Sequence, residues 1–273
     1  MSRQHSAIAA ATLAPLALGL AAGQFSSVAR GGTRATATAA SGKTKIACAA
    51  SLLACPEAGC AHEGSSDAVT NALKRAVPAG GNPRTLTLDD FKRLQDDEVA
   101  AFGDDKIEPD EAERTKGLHD LKVNGGRVSE GDLVQVVGYL VGKPHANSGE
   151  SVNCKLTGAT NNDFHLTLAD DPASEEFSGI VVEMTPQARP KTWTLKRVVA
   201  AQKLERPVLV VGQLFYDNKH HVNDDPENPT GGDPKRFSLF EVHPVTQFFV
   251  CKTTDPCDPS HPADWTTLET ASP

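Results

Sequence analysis

Positive charge is in short supply. In 273 residues, 27 Lys and Arg stand against 35 Asp and Glu, a net charge of −8. A protein that grips a phosphate backbone displaces counterions with Lys and Arg, so non-specific nucleic-acid binding is disfavoured. Long apolar runs are also missing. Residues 7–22 form one mostly apolar stretch, interrupted by Thr12 and Pro15, whereas a bilayer span needs about 20 apolar residues. A polytopic membrane protein is excluded. No C-x-x-C pair occurs among the six cysteines, which removes zinc knuckles and thioredoxin-type motifs. G-x-S-x-G, H-E-x-x-H and G-x-G-x-x-G are absent as well. Ser41-Gly42-Lys43-Thr44 imitates the end of a phosphate-binding loop, but Ala37 stands where its first glycine belongs. Aromatics are scarce at 5%, and eleven of the fourteen lie at or after Tyr139. Aromatic side chains bury the most area per residue, so the second half is expected to hold the main core. A hydrophobic content of 39% plus 22 Gly rules out a wholly disordered chain.

The N-terminus reads as an address. Arg3 and His5 precede the apolar run, and the small residues Ala21-Ala22-Gly23 follow it. Residues 1–23 are therefore expected to be a signal peptide, and the protein secreted or periplasmic. Cleavage removes Arg3 and no acid, and leaves no stable membrane span. Six cysteines agree with an oxidising compartment. They allow 15 pairings, of which the short loops Cys55–Cys60 and Cys251–Cys257 are the cheapest to close.

Residues 24–50, rich in Ala, Thr, Ser and Gly, read as a flexible linker. Residues 51–126 read as a small helical or irregular region containing cysteines. A helical pattern runs from Asp67 to Lys74, and Thr87 caps a second one with an acid three places on. The stretch from Asp96 to Asp120 is charge-dense and expected to be solvated. From residue 127 to 251 the pattern becomes β. Val134–Gly142, Asp163–Leu168, Gly179–Met184, Val208–Phe215 and Phe237–Val250 read as strands, the last bent at Pro244. Trp193–Leu204 reads as a helix capped at Thr192 or Thr194. Five strands with one helix between the third and fourth is the order of an OB-like barrel; another small β-barrel or a sandwich is the alternative. The loops 142–162 and 216–236 would flank its ligand face, and loops of this length are usually functional. Residues 252–273 read as a C-terminal tail.

Carboxylate–histidine pairs recur in this half. Asp163 and His165 are two apart on one strand, so they share a face opposite Phe164 and Leu166. Glu241 and His243 are two apart on the last strand and are expected to share a face with Leu239 and Val245. Asp217 and His220, beside His221, follow the fourth strand. Glu183 lies alone between Val182 and Met184, and a charge in so apolar a setting needs a partner. Two readings compete. In one the groups converge at one end of the barrel, where imidazoles and carboxylates can hold a divalent metal, zinc or calcium, or act as an acid–base pair. In the other they form a buried hydrogen-bonded ladder. Arg189 and Arg236 are supporting candidates as charge-stabilising groups. The Asn/Asp-rich stretch Asn223–Asp233 reads as a solvated loop in preference to a calcium site.

These pieces carry a resemblance. Asp163-Phe-His165-Leu, Val181-Val-Glu183, Val208-Leu-Val-Val-Gly212 with Asp217 and His220, and Glu241-Val-His243-Pro244-Val245 resemble a group of uncharacterised exported bacterial proteins with an OB-like domain. Their shared pattern runs D-x-H-L, V-x-E, V-x-V-x-G-x-x-x-x-D-x-x-H and E-x-H-P-V. It covers residues 128–251, and Cys55–Cys60 with Asn71 and Lys74-Arg75 resembles their preceding module more loosely. The chain departs from that group at Phe240, where a Trp is usual, and at Cys154, where a C-x-C is usual. The resemblance implies the same domain and polar positions, and no activity.

Two functions follow as expectations. The first is a secreted OB-like binding module for a small or polymeric ligand, held through a divalent metal at the cluster. The second, by analogy with extracellular nucleases built on an OB barrel, is a metal-dependent hydrolase of phosphodiesters or other esters.

Overall fold

The computed structural model describes residues 48–102, 114 and 116–271. The expected signal peptide and almost all of the linker lie outside the described residues, as does part of the charge-dense 96–120 stretch. Helices precede the barrel. Helix α1 (Ser66–Arg75) begins where the Ser65 hydroxyl accepts from the Ala68 N–H, and it carries Asp67 in its first turn and Lys74 and Arg75 in its last, as the helix dipole favours. After strand β1 (Arg84–Leu86), helix α2 (Leu88–Phe102) opens on a reciprocal cap. Thr87 Oγ1 accepts from the Asp90 N–H at 3.1 Å, and Asp90 accepts from the Thr87 N–H at 3.0 Å. The hairpin β2 (Leu121–Val123) and β3 (Gly126–Val128) follows.

The remaining strands are β4 (Leu133–Ala146), β5 (Phe164–Ala169), β6 (Ile180–Met184), β7 (Val208–Tyr216), β8 (Phe240–Cys251) and β9 (Trp265–Thr267). Helix α3 (Leu195–Gln202) lies between β6 and β7, and α4 (Leu268–Ala271) ends the described chain. Antiparallel pairs join β4 to β5, β5 to β6, β8 to β7 and β7 to β4, while β6 and β8 run parallel. That circuit closes a five-stranded barrel in OB-like order, with its helix between the third and fourth barrel strands. Of the two candidate threonines it is Thr194 that caps α3. Inward residues alternate along the strands: Phe164, Leu166 and Leu168; Ile180, Val182 and Met184; Val208, Val210, Leu214 and Tyr216. Phe91 and Leu94 of α2 and Val198 of α3 join the same core.

Several local expectations change. Strand β4 does not stop at Gly142, because that glycine takes a left-handed φ of +64° and the register shifts there between Val141 and His145. Leu239, just ahead of β8, and Val245 on it do not share a face with Glu241 and His243. Both belong to the core with Phe240 and Val242. Register shifts on either side of Gly212 absorb Pro244, which has no N–H for the ladder, and reverse the alternation before Val245. Gly212 permits this approach: a Cβ there would sit 2.3 Å from the Pro244 carbonyl oxygen and 2.7 Å from Val242 Cγ1. Gly212→Ala is expected to destabilise the barrel by about 1–3 kcal/mol, read as a lower urea midpoint. An unchanged midpoint would mean the pairing can shift to accommodate a methyl.

Three disulfides are formed: Cys48–Cys60, Cys55–Cys154 and Cys251–Cys257. The expected short Cys55–Cys60 bridge is not among them. Closure entropy varies only slowly with loop length, so packing decides instead. Residues 55–71 dock on the loop after β4, where Cys60 N–H donates to Ser151 O and Asn71 to the Ser151 hydroxyl. Cys55 is thereby brought to Cys154. The charge-dense stretch is not uniformly solvated: Glu98 is buried and accepts from the Tyr216 hydroxyl at 2.7 Å. Nor are residues 252–271 a loose tail, since β9 pairs with β8 and Trp265 and Leu268 are buried. No described helix is long and apolar enough to cross a membrane.

Candidate functional site

The same alternation that fills the barrel turns a set of polar residues to its outer face. His165 and Glu183 are direct partners across β5 and β6. Val182 pairs with Val242 across the parallel β6–β8 junction, which sets Glu183 beside His243. Outward residues of a barrel are ordinarily wet. Here Asp163, Glu241 and His243 have no exposed surface, and Glu183 has 2%. The cover comes from the end of α1 and from the loop after β4. Thr185 donates to the Lys74 carbonyl at 3.3 Å, Gln213 to the Leu73 carbonyl at 2.8 Å, and Asn153 to Asp163 Oδ1 at 2.9 Å. The cluster is therefore sandwiched on the flank of the barrel, not gathered at one end as expected. Residues two apart on a strand project from its face, and a face is not a rim.

Two triads share Glu183, and in each the candidate ligand atoms lie within 4.8 Å of one another. Glu150, His165 and Glu183 make the first. Its His165 Nδ1 is 3.2 Å from Glu183 Oε1, and Nε2 meets Asn147 at 2.6 Å and Glu150 Oε1 at 3.4 Å. Asn147 also donates to Glu150 at 3.1 Å. This triad is a hydrogen-bonded ladder.

Asp163, Glu183 and His243 make the second, and it differs. His243 Nε2 is 3.0 Å from Thr185 Oγ1 and 3.3 Å from Asp163 Oδ2. Its Nδ1 lies 3.2 Å from Glu183 Oε2 and 3.5 Å from Glu241 Oε2. None of the four atoms Asp163 Oδ2, Glu183 Oε2, Glu241 Oε2 and His243 Nδ1 makes a hydrogen bond, although all are buried. Because the Thr185 hydroxyl donates to Lys74, it accepts from His243 Nε2–H. That tautomer leaves the Nδ1 lone pair facing carboxylate lone pairs. Such a group of acceptors needs a cation, either a proton on Nδ1 or a metal ion. Ligands about 2.0–2.1 Å from a tetrahedral zinc lie about 3.3 Å apart, close to the 3.2 Å between His243 Nδ1 and Glu183 Oε2; Asp163 approaches the other ring nitrogen, with the triad's ligand atoms within 4.8 Å.

The protonation states follow from burial and charge. Burial alone would depress the His243 imidazolium. The Glu183 charge and the Asp163 and Glu241 contacts outweigh it and raise the group to about 10. Burial pushes Glu183 up to about 7 against the pull of both histidines and Lys74. Glu183 and His243 thus compete for one proton. Burial would raise Asp163, but the close approach of His243 outweighs it and holds the carboxyl below the usual range. Burial works against the Lys74 charge, but the fields of Glu183, Asp217, Glu241 and Glu150 outweigh it and raise the group.

The remaining candidates extend from this cluster. Arg236, wholly buried, donates to Asp217 Oδ2 at 2.9 Å and to Glu241, joining the two. His220 Nδ1 meets the same Asp217 oxygen at 2.6 Å. Arg189 stacks on the Phe164 ring at 3.7 Å and donates to the carbonyls of Met184 and Ala159. Both guanidinium groups are thus engaged with protein atoms. Beside the cluster, a cleft of about 350 Å³ lies on the outer face of β5 and β6, lined by His145, Asn147, His165, His220, Asp233 and Lys235. His145 stacks on His165 with centroids 5.4 Å apart. His165 is the triad member that reaches this cleft. Within Asn223–Asp233 the polar groups bond one another, as Asn223 does with Thr230 and Asp225 with Asn228. Among the described residues no metal-ligand triad falls there.

The Asp217–His220 pair carries a pH signature. Hydrogen bonding to Asp217 raises His220, and although burial would raise Asp217, its bond to His220 and the Arg236 charge hold it well below normal. A raised histidine stabilises fully below its unfolded pKa near 6.5, and that contribution is lost as pH rises through the folded value. A depressed carboxylate stabilises above about 4 and loses its contribution as pH falls through the folded value. The stability difference between the native chain and His220→Gln is therefore expected to peak between about pH 4 and 6.5. Urea midpoints across pH 3–9 measure it; a difference independent of pH would show that the pair is not ionic.

Lys74, Asn147, Glu150, Asn153 and Thr185 belong to the site and were not singled out as site residues from the sequence. Thr185 sits two places after Glu183, on the same face, and that spacing was a readable signal. The others come from α1 or from the loop after β4, and no local pattern marks them. No protein-family model, curated protein or solved structure matches the chain.

Proposed function

We propose that this chain is an exported OB-like binding module that holds one divalent cation in the Asp163–Glu183–His243 triad and takes its ligand in the adjoining cleft. The observation that carries the reading is the unmet valence of Asp163 Oδ2, Glu183 Oε2 and His243 Nδ1 in a dry setting. Buried polar atoms normally find partners, and the neighbouring triad does. An imidazole in the ligand set favours zinc or a similar ion over calcium, which takes oxygen ligands. Export is supported by the charged and apolar pattern of residues 1–23 and by three disulfides that use all six cysteines. Motif likeness to exported bacterial proteins points the same way. The cleft lies on the second and third barrel strands between the two long loops, the place where OB folds take ligands.

Burial favours binding over hydrolysis. A catalytic metal keeps a coordination position open to substrate, whereas Asp163 and His243 have no exposed surface. The cation here would brace the floor of the cleft. Protein purified from an oxidising compartment and equilibrated with Zn²⁺ is expected to retain about one ion per chain by elemental analysis, and Ca²⁺ is not expected to replace it. Retention of no ion would identify the cluster as a hydrogen-bonded ladder with a protonated His243.

A further inference from the structure

A second outer face of the barrel, on β4, β7 and β8, carries residues of another kind. The register lays two rungs across it. Gln135 pairs with Val211 and Val211 with Gln247; Val137 pairs with Leu209, Leu209 with Phe249, and Phe249 with Thr267 of β9. Residues two apart on a strand share a face, so the rungs lie side by side. Val208 and Val210 fill the core, which turns Leu209 and Val211 outward. There Leu209 forms a small cluster with Cys251 and Trp265, against which Val137, Phe249 and Cys257 pack.

The loop between β8 and β9 contributes Pro259 and Pro262 to a groove of about 300 Å³ that Leu209, Val211 and Phe249 also line. That loop is held by the Cys251–Cys257 bond, by Lys252 N–H donating to Asp264 O at 3.0 Å and by Trp265 Nε1–H donating to Asp258 O at 2.9 Å. A groove so braced is formed before any ligand arrives, as small-molecule sites usually are.

Its chemistry defines what fits. None of the ten lining residues is ionisable, in a chain of which 23% is charged. An ion entering here would lose water without finding a counter-charge. The polar groups are the Thr267 hydroxyl and the amides of Gln135 and Gln247, one on either side of Val211. Gln135 Nε2 donates to Thr85 Oγ1 at 2.8 Å, which leaves its carbonyl oxygen to accept from a ligand. An apolar cavity of about 150 Å³ takes one benzene, so this groove has room for two fused rings. A protein partner fits less well, because a stable interface covers about 800 Å² on each side. The exposed large apolar residues among those described, Leu53, Val77, Val99 and Phe102, do not line the groove.

We infer that this groove is a second ligand site, which takes a neutral, flat, bicyclic molecule carrying a hydroxyl or N–H group. It shares no residue with the Asp163–Glu183–His243 triad or with the cleft beside it, so it stands or falls independently of the proposed metal.

The probe is 2-naphthol, with naphthalene-2-sulfonate as a charged molecule on the same rings. In isothermal titration at neutral pH, the native chain is expected to bind 2-naphthol once, with a Kd below about 1 mM. The sulfonate is expected to bind about 10-fold more weakly or worse. Val211→Phe places a ring between the two glutamines and is expected to weaken 2-naphthol binding about 10-fold or more. Gln247→Lys, at an exposed position, supplies the missing cation and is expected to strengthen sulfonate binding about 3-fold. No 2-naphthol binding by the native chain overturns the inference. So does equal binding of the two probes, or undiminished binding by a folded Val211→Phe. Should that variant not fold, Gln247→Lys decides alone: stronger sulfonate binding supports the site, and an unchanged affinity overturns it. Dimerisation of the native chain that Gln247→Lys abolishes would assign the groove to a second copy and overturn the inference as well.

Discussion

Arg236→Met is expected to lower the stability of the folded chain by about 3–5 kcal/mol, the range for breaking a buried ion pair by removing one partner. The arginine side chain is wholly buried and holds Asp217 and Glu241, whose side chains are 2% and 0% exposed. Its backbone N–H and C=O also bridge to Asn223, closing the long loop between β7 and β8. Methionine fills similar volume but leaves two carboxylates facing each other in a dry site. A triple variant adding Asp217→Asn and Glu241→Gln removes the charges along with their partner, and should recover much of the loss. Urea unfolding of the three proteins measures this. A single variant within about 1 kcal/mol of native would mean that the two acids are already neutral in the fold.

Zinc affinity is expected to fall by about 100-fold or more in His243→Ala and in Glu183→Gln. Removing even an outer hydrogen-bond partner of a metal ligand costs about 10–100-fold, and these residues would be ligands themselves. Glu183→Gln is the more telling variant. Glutamine keeps the shape and can still hydrogen-bond His165 across the β5–β6 register, but it lacks the charge that a cation needs. If the cluster is a metal site, the variant folds and binds weakly. If it is a proton-linked ladder, zinc has no effect on either protein, and the loss appears in stability at about 3 kcal/mol or more. Isothermal titration and urea midpoints on the same samples separate the two.

The barrel was legible because its strands read either as alternating patterns, as in Phe164–Leu168, or as short unbroken apolar runs. Val208–Tyr216 and Ile180–Met184 are apolar on nearly every position, as strands buried on both faces must be. Thr194 marks the one helix that an OB-like order requires. Alternation breaks on β4 beyond Val141 and on β8, where Pro244 and Gly212 disturb the register and a one-residue slip reverses the faces. That slip turns Val245 to the core, while Leu239 precedes β8 and lies outside its alternation.

The chemistry of the site was legible in part. Asp163, His165, Glu183, Glu241 and His243 stand out because charge on apolar strands demands a partner. Lys74 does not stand out: it looks like any lysine in the last turn of a helix, where the dipole favours it. Glu150 looks like a residue of a polar loop.

Residue type and spacing alone determined the barrel, the faces of its first four strands and the polar residues on them, since those depend on local periodicity. What covers that face, and therefore whether its acids are solvated, was decided by tertiary structure. The Cys55–Cys154 bond and the Lys74–Thr185 contact, 111 positions apart, bring the α1 region onto it. An acid in water needs no partner, and the same acid under α1 needs a cation. That change of medium makes a row of strand carboxylates a candidate metal centre, and local sequence carries no record of it.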